Sequence, residues 1–288
     1  MFKDLTAIIV TFKSHKIINK TIDYLPKSLK ILIIENSKDK KFKKNIEKKY
    51  PNVKCTLTGK NIGWGRATNI GIEKAKTNYI LCLNPDLFIK HKALIKTFET
   101  IKKDNEIGVI APSTIDIKKR IYIRHKEIKS NFIKEKKKLI EVSKLSGHIF
   151  IIRRKILSNV GKLDKKIFLN FEETDLFKRI IERGYRLFVL KNVFAQHLEG
   201  KSADPLIQME MDLSSAWHYS WGIIYFNRKH YGILFSLLIF IKLFVIKTIT
   251  LFYFILMNDK KKQKYTILSL SGLITSLLKK PSYYRPKI

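Results

Sequence analysis

The sequence predicts an α/β fold: a mixed, mainly parallel sheet flanked by helices, followed by amphipathic helices at the C-terminus that associate with a membrane. Three observations predict it. Short apolar runs and amphipathic stretches take turns through the first half of the 288 residues. The short runs are apolar throughout instead of alternating with polar residues, as in strands covered on both faces. The long stretch nearly free of charge, residues 233–257, comes late in the chain.

Residues 5–11, Leu-Thr-Ala-Ile-Ile-Val-Thr, make a strand by length and β-branching. Residues 15–25 read as a helix that ends before Pro26. A strand at 31–34, a lysine-rich helix over 39–50 stopped by Pro51, and a strand at 53–57 follow. A helix over 66–75, a strand at 79–83, a helix over 92–103 and a strand at 108–111 complete the first half. Residues 113–139, rich in Lys and Arg and weakly periodic, read as an inserted loop or hairpin. Strands at 146–152 and 185–190 enclose a helix over 172–183, for which Gly184 is a suitable C′ residue. In such sheets ligands bind beyond the carboxyl ends of the strands, so the polar residues just after each strand are the candidates for chemistry.

Residues 233–257 carry only two charges, Lys242 and Lys247. As a helix they would reach about 37 Å, enough to cross a bilayer, but each central lysine costs roughly 2.5–3.5 kcal/mol there. Ser236, Lys242, Lys247 and Thr250 fall within one arc of about 140°, which suits a helix lying in the interface. Lys260, Lys261, Lys262 and Lys264 form a polybasic cluster suited to anionic lipid. Ile267, Leu270, Ile274, Leu277 and Leu278 mark a second amphipathic helix.

The formal charge is +34, and 45% of residues are hydrophobic, which excludes a disordered chain and invites a polyanion. Lysine supplies 48 of the 58 basic residues, so much of that charge is equally explained by compositional bias on a solvated surface. Cys55 and Cys82 stand in apolar runs without metal-like spacing, as reduced core residues do. Met1-Phe2-Lys3-Asp4 runs straight into a strand with no charged-then-apolar leader, so a cytoplasmic protein is expected.

Glycine is scarce, 12 in all, yet four fall between Gly59 and Gly71. The segment Asn61-Ile62-Gly63-Trp64-Gly65-Arg66-Ala67-Thr68-Asn69-Ile70-Gly71 joins a strand to a helix, where turns are tight and backbone can approach an anion. Asn84-Pro85-Asp86 follows the 79–83 strand directly and offers a carboxylate for a metal held against a diphosphate. A β-turn aspartate explains Asp86 equally well on local grounds. Phe171-Glu172-Glu173-Thr174-Asp175 opens a helix. The acids there suit the helix dipole, and Asp175 can pair with Arg179, but two adjacent glutamates behind an aromatic exceed that need. One of them could take a proton from an acceptor hydroxyl. His197, after the last predicted strand, could complete a metal site with Asp86.

Taken in order, these motifs resemble the family 2 glycosyltransferases of GT-A fold, most closely their rhamnosyltransferase-like branch, over about residues 5–230. Thr11 and Phe12 look like the end of the first nucleotide-contacting strand. Glu35 and Asn36, with Ser37, match an element whose acid contacts the base; here the acid is Glu in place of Asp. Asn61, Gly63, Trp64 and Asn69 match a loop on the nucleotide-sugar side. Asn84 and Asp86 take the place of the metal motif, with Asp86 as carboxylate ligand. The resemblance implies that Glu173 is the general base and that Glu172 and Asp175 shape the acceptor side. His197 with Ser202 implies a metal or diphosphate contact.

The implied reaction is an inverting transfer of a sugar, rhamnose included, from a nucleotide-diphosphate donor. The acceptor would be a hydroxyl of a lipid-linked or cell-surface polysaccharide, and the cofactor Mg²⁺ or Mn²⁺. The domains implied are a catalytic part at 1–205 (donor half 1–112, acceptor half 113–205), an aromatic-basic connector at 206–232 and membrane-associated helices at 233–288. The expected place is the inner face of the plasma membrane, held peripherally or monotopically by anionic lipid. A non-catalytic basic protein binding membrane or nucleic acid on the same fold is the alternative. No arginine-rich or aromatic stacking motif favours nucleic acid.

Overall fold

A computed structural model describes residues 2–116, 121–122, 126–127, 139–198 and 207–286, with backbone only at 121–122 and 126–127. Most of the predicted insertion at 113–139, and Ser202, lie outside the described residues. The chain forms two compact units. One comprises Met1–Leu163 and Glu173–Asp204, the other Asp164–Glu172 and Pro205–Ile288.

In the first unit, the strands are β1 (Leu5–Thr11), β2 (Lys30–Glu35), β3 (Val53–Leu57), β4 (Tyr79–Leu83) and β5 (Leu87–Ile89), then β6 (Ile107–Ile115), β7 (Ile121–Tyr122), β8 (Lys126–Glu127), β9 (Leu139–Lys144), β10 (Ile149–Arg153) and β11 (Arg186–His197). The helices between them are α1 (His15–Asp23), α2 (Lys40–Lys49), α3 (Trp64–Lys74), α4 (His91–Lys103), α5 (Arg154–Val160) and α6 (Glu172–Glu182). One sheet holds all the strands, in the order β3-β2-β1-β4-β10-β6-β11-β9-β8, with β5 on β11 and β7 on β6. Strands β1 to β4, β6 and β11 point the same way, and β10 runs against its neighbours β4 and β6. The sheet is therefore mixed and mainly parallel, as expected.

β1 and β4 are buried at every position, because helices cover both faces of these continuously apolar strands. One face carries Leu5, Ala7, Ile9 and Leu81 into a core with Ile18 and Phe98. The other carries Ile8, Val10, Ile80 and Cys82 into a core with Ala67, Phe177 and Ile180. Cys55 and Cys82 are buried and free, and burial holds both thiols up near about 12, so they remain protonated core groups. Arg153 is buried where β10 ends; it donates to the carbonyls of Ile107 and Asp104 at 2.9 and 2.8 Å and to Tyr79 Oη at 2.8 Å.

The structure corrects several boundaries. α3 begins at Trp64, two residues before the predicted start, because Gly63 takes φ 89° and turns the chain directly into the helix. β6 continues through Ser113–Ile115, which the sequence assigned to the insertion, because that stretch pairs with residues 194–196 of β11. β11 is twelve residues long and extends to His197, with a register shift between Leu190 and Phe194. The exposed Lys191 and Asn192 in its middle mask that extension in the sequence.

In the second unit, α7 (Gln208–Leu256) takes residues 208–232 of the expected connector into a helix. Gly232, at φ 86° and ψ 173°, breaks α7 in the middle. Ser236 Oγ then donates to the Ile224 carbonyl at 3.1 Å, so the second half turns back beside the first. α8 (Lys260–Leu277) follows, with Asp259 accepting from the Lys262 amide as its N-cap. At Gly272 a β-carbon would lie 2.4 Å from the Trp217 carbonyl oxygen, so only glycine lets α8 approach α7 this closely. Trp217 and Trp221 are buried there, with Nε1 donating to Ser271 Oγ and to the Lys280 carbonyl.

The second half of α7 is the long apolar helix that could cross a membrane by length and composition. Its residues at 234, 238, 241, 245, 249, 252 and 256 are all apolar and all exposed, from 50% at Ile241 to 84% at Leu256. Steps of three and four place them on one face. Ser236 is buried and Lys247 and Thr250 are half-buried on the opposite side, while Lys242 is exposed. The apolar face thus points away from the rest of its unit.

Candidate functional site

The parallel strands deliver their carboxyl ends to one edge of the sheet. Thr11 ends β1 and lies in register with Glu35, which ends β2. Phe12 follows, half-buried. Glu35 is fully buried, and its Oε2 accepts from Thr11 Oγ1 at 2.6 Å. The other oxygen, Oε1, is buried without a hydrogen-bond partner among the described residues. A buried carboxylate oxygen in that state is costly unless a ligand donates to it.

Asn36 links this strand end to the glycine loop: its Nδ2 donates to the Gly63 carbonyl at 3.4 Å and its Oδ1 accepts from Thr58 Oγ1 at 3.3 Å. Asn61 Oδ1 accepts from the Gly63 amide at 3.0 Å and shapes the turn. Trp64 opens α3 half-buried. Asn69, on α3, bonds to the chain after α5. Its Nδ2 donates to the Leu163 carbonyl at 2.8 Å and its Oδ1 accepts from the Leu163 amide at 3.1 Å. Both polar ends of the amide are thus taken up in bracing the chain after α5.

Asp86 follows β4 at the same sheet edge. Thr21 donates to the Pro85 carbonyl, the Asn84 amide donates to the His148 carbonyl at 2.9 Å, and the Leu198 amide donates to the Asp86 carbonyl at 3.0 Å. The half-buried Asn84 is thereby held through its backbone. β5, directly after Asp86, pairs antiparallel with the end of β11, with Leu87 opposite His197. That pairing brings His197 Nε2 to 3.3 Å from Asp86 Oδ1. His197 is the last residue of the strand, not a residue beyond it.

Both side chains are nearly inaccessible, at 7% and 2% exposed. Asp86 Oδ1 and His197 Nδ1 are buried without a hydrogen-bond partner among the described residues. A carboxylate beside an imidazole, with atoms left unsatisfied, fits a divalent cation. No group of three or more His, Cys, Asp or Glu that could hold a metal occurs among the described residues. The remaining coordination positions would therefore go to ligand oxygens and water.

Glu173 approaches the same edge from α6. A β-carbon on Gly147 would stand 2.6 Å from Glu173 Cγ and 2.9 Å from Cδ, so the glutamate lies across that glycine. Gly147 precedes β10, whose first residue Ile149 is in register with Leu83 at the end of β4. Glu173 is half-buried and Glu172 is buried. Asp175 is fully buried and pairs with Arg179 at 2.9 Å, the i,i+4 pairing open to it in the sequence. Arg179 in turn donates to the carbonyls of Val160, Gly161 and Lys162, so Asp175 anchors the chain after α5.

Sequence reasoning passed over Ser146, Gly147 and His148, reading them as strand. The signal available was a glycine in a glycine-poor chain, just ahead of a fully apolar strand. The His148 ring lies against that of His197, 4.1 Å between centroids.

The profile of glycosyl transferase family 2 matches residues 6–161, more than half of the chain. A comparison with curated protein sequences gives no match. Among solved structures, the chain is similar to GalNAc-T7 with UDP, GalNAc and Mn²⁺, at TM-score 0.57 and 16% identity over 77% of this chain and 49% of that one. It is similar to the mannosyltransferase PcManGT from Pyrobaculum calidifontis, in complex with GDP-Man and Mn²⁺, at TM-score 0.56 and 10% identity over 96% and 88% of the two chains. A third similarity, to S. aureus TarS, has TM-score 0.52 and 15% identity over 79% and 43%. The chain thus spans about half the length of GalNAc-T7 and less than half of TarS.

Proposed function

The chain belongs to glycosyl transferase family 2, and from that premise we propose that it is an inverting glycosyltransferase that uses a nucleotide-diphosphate sugar with a divalent cation. The observation that carries this reading is one of placement. Glu173 lies across Gly147 at the same sheet edge where Asp86 and His197 pair. A proton acceptor and a cation-binding pair therefore flank one cleft edge, and Glu35 offers a buried acceptor to the base of the nucleotide.

Residues 1–112 act as the donor half of a catalytic part at 1–205. Thr11, Phe12, Glu35, Asn36, Asn61, Gly63, Trp64 and Asn84 form its nucleotide-sugar side. Asp86 and His197 hold the cation, which when bound neutralises the charge that develops on the leaving diphosphate. Two structural neighbours contain Mn²⁺ with a nucleotide, which supports that role. Glu173, in the acceptor half, takes the proton of the acceptor hydroxyl. The hydroxyl oxygen bonds to the anomeric carbon as the bond from that carbon to the diphosphate oxygen breaks, so configuration inverts in a single displacement. Glu172 shapes the acceptor side, and Asp175 acts through Arg179 as a support.

The resemblance to the rhamnosyltransferase-like branch supports a rhamnosyl or hexosyl donor and a lipid-linked or cell-surface polysaccharide acceptor. The second unit seats the protein on the inner face of the plasma membrane. Its exposed apolar face on α7 supports that seat. So does α8, whose first turn carries lysines and no acid, charges that oppose its own dipole and that anionic headgroups would offset.

The test is Glu173→Gln. Nucleoside diphosphate release from a panel of nucleotide sugars, with membrane extract as acceptor, should fall at least a thousandfold while donor binding by calorimetry persists. Full activity in that variant would remove Glu173 as base.

A further inference from the structure

The turn Ser146-Gly147-His148 leads into β10 and touches both His197 and Glu173 at the sheet edge. On one side, the His148 ring lies over that of His197, 4.1 Å between centroids and tilted by 37°. On the other, Glu173 is seated against Gly147. The turn is itself pinned at two points. Ser146 Oγ and His148 Nδ1 are 2.8 Å apart, which fixes the ring, and the His148 carbonyl accepts from the Asn84 amide at 2.9 Å, which fixes the backbone two residues before Asp86.

An imidazole that binds a cation is ordinarily oriented by a hydrogen bond from its other ring nitrogen to a carboxylate, carbonyl or water. His197 has no such bond among the described residues: Nδ1 is buried and without a partner, and Nε2 faces Asp86. Among the described residues, the ring contact with His148 restrains the imidazole beside its contact with Asp86. A ring at 4.1 Å restricts rotation of its neighbour about the Cβ–Cγ bond, because any large swing drives the edge of one ring into the face of the other.

We propose that His148 is a positioning residue for the transfer: its ring holds the His197 imidazole against Asp86, and its turn seats Glu173 through Gly147. One three-residue turn then sets the spacing between the cation-binding pair and the base. The proposal rests on the reading of Asp86 and His197 as the cation-binding pair and adds a residue that none of the matched motifs contains.

The experiment uses the full chain and titrates Mn²⁺ in the presence of UDP or GDP, read by calorimetry and by the shift in thermal midpoint. The KM for Mn²⁺ and kcat are measured beside it. His148→Ala should weaken Mn²⁺ affinity by about tenfold or more, the range for losing a group that orients a ligating histidine. It should raise the KM for Mn²⁺ more than it lowers kcat. His148→Phe keeps a ring in place without ring nitrogens and should return affinity to within about threefold of wild type, where a purely hydrogen-bonding role would leave it as weak as Ala. Unchanged affinity in His148→Ala, or a Phe variant as weak as Ala, overturns the proposal. If His148→Ala does not fold, Ser146→Ala releases the ring from its hydrogen bond and should weaken Mn²⁺ binding by about threefold; no change there overturns it too. A wild-type chain that binds no Mn²⁺ with either nucleotide removes the reading of the cation pair itself, a result distinct from wild-type binding that survives the substitutions.

Discussion

Substituting Gly147 by alanine places one methyl group whose three nearest heavy atoms all belong to Glu173, the glutamate proposed as base. The new carbon would lie 2.6 Å from Glu173 Cγ, 2.9 Å from Cδ and 3.2 Å from Cβ. Ordinary contact begins at 3.4 Å, so the glutamate side chain must retreat by roughly 1 Å. It is half-buried and flexible beyond Cβ, so it can retreat. The stability cost should therefore sit at the low end of the about 1–3 kcal/mol typical of overpacking. Catalysis is less forgiving, because a misplacement of about 1 Å costs on the order of a hundredfold in rate. Gly147→Ala is thus expected to lower kcat about a hundredfold, with donor affinity unchanged and a thermal midpoint within a few degrees. The assay is steady-state release of nucleoside diphosphate with donor saturating, beside a donor titration. A kcat within threefold of wild type would refute the placement of Glu173 as base, and a parallel loss of donor affinity would refute its separation from the donor side.

Three further outcomes are expected. Arg179→Met should cost about 3–5 kcal/mol in denaturant unfolding, since it removes the ion pair with the buried Asp175 and the donors to the carbonyls at 160–162; a loss under 1 kcal/mol would contradict the clamp. Burial holds the His218 imidazole down at about 3, against the hydrogen bond to the Tyr284 carbonyl; that bond and one with Ser282 Oγ tie the C-terminal segment to α7. The unfolded chain then binds the extra proton between about pH 6.5 and pH 3, so this contribution is complete above pH 6.5 and falls by up to about 1.4 kcal/mol per pH unit below it; His218→Asn should flatten that slope, and an unaltered slope would contradict it. Replacing Lys260 and Lys261 by Gln should weaken binding to anionic vesicles by about 2 kcal/mol, or about thirtyfold, and leave binding to neutral vesicles alone; equal losses on both would contradict the headgroup contact.

β1, β2 and β4 were legible as short runs of mostly apolar residues, and β3 as an alternating run between Pro51-Asn52 and Gly59. What the sequence hid was long-range pairing. Nothing local shows that the three residues of β5 pair with the end of β11, yet that pairing carries His197 to Asp86. Asn69 is a second case: its loop matches a ligand-binding pattern, and its amide also braces Leu163, 94 residues away. His148 escaped notice because its meaning depends on a ring contact with His197 across the sheet edge. In the second unit the apolar segment was visible by composition. Its break at Gly232 was not, since a glycine ahead of an apolar run reads equally as a helix start.

We propose above all that the edge beyond β1, β2 and β4 binds a nucleoside diphosphate through a cation held by Asp86 and His197. Calorimetric titration of UDP and GDP into the full chain, with Mn²⁺ and with EDTA, tests it most directly. Micromolar binding of one nucleotide in Mn²⁺, lost in EDTA and in Asp86→Ala, is the predicted result. Binding that persists without metal, or that survives Asp86→Ala unchanged, would contradict it.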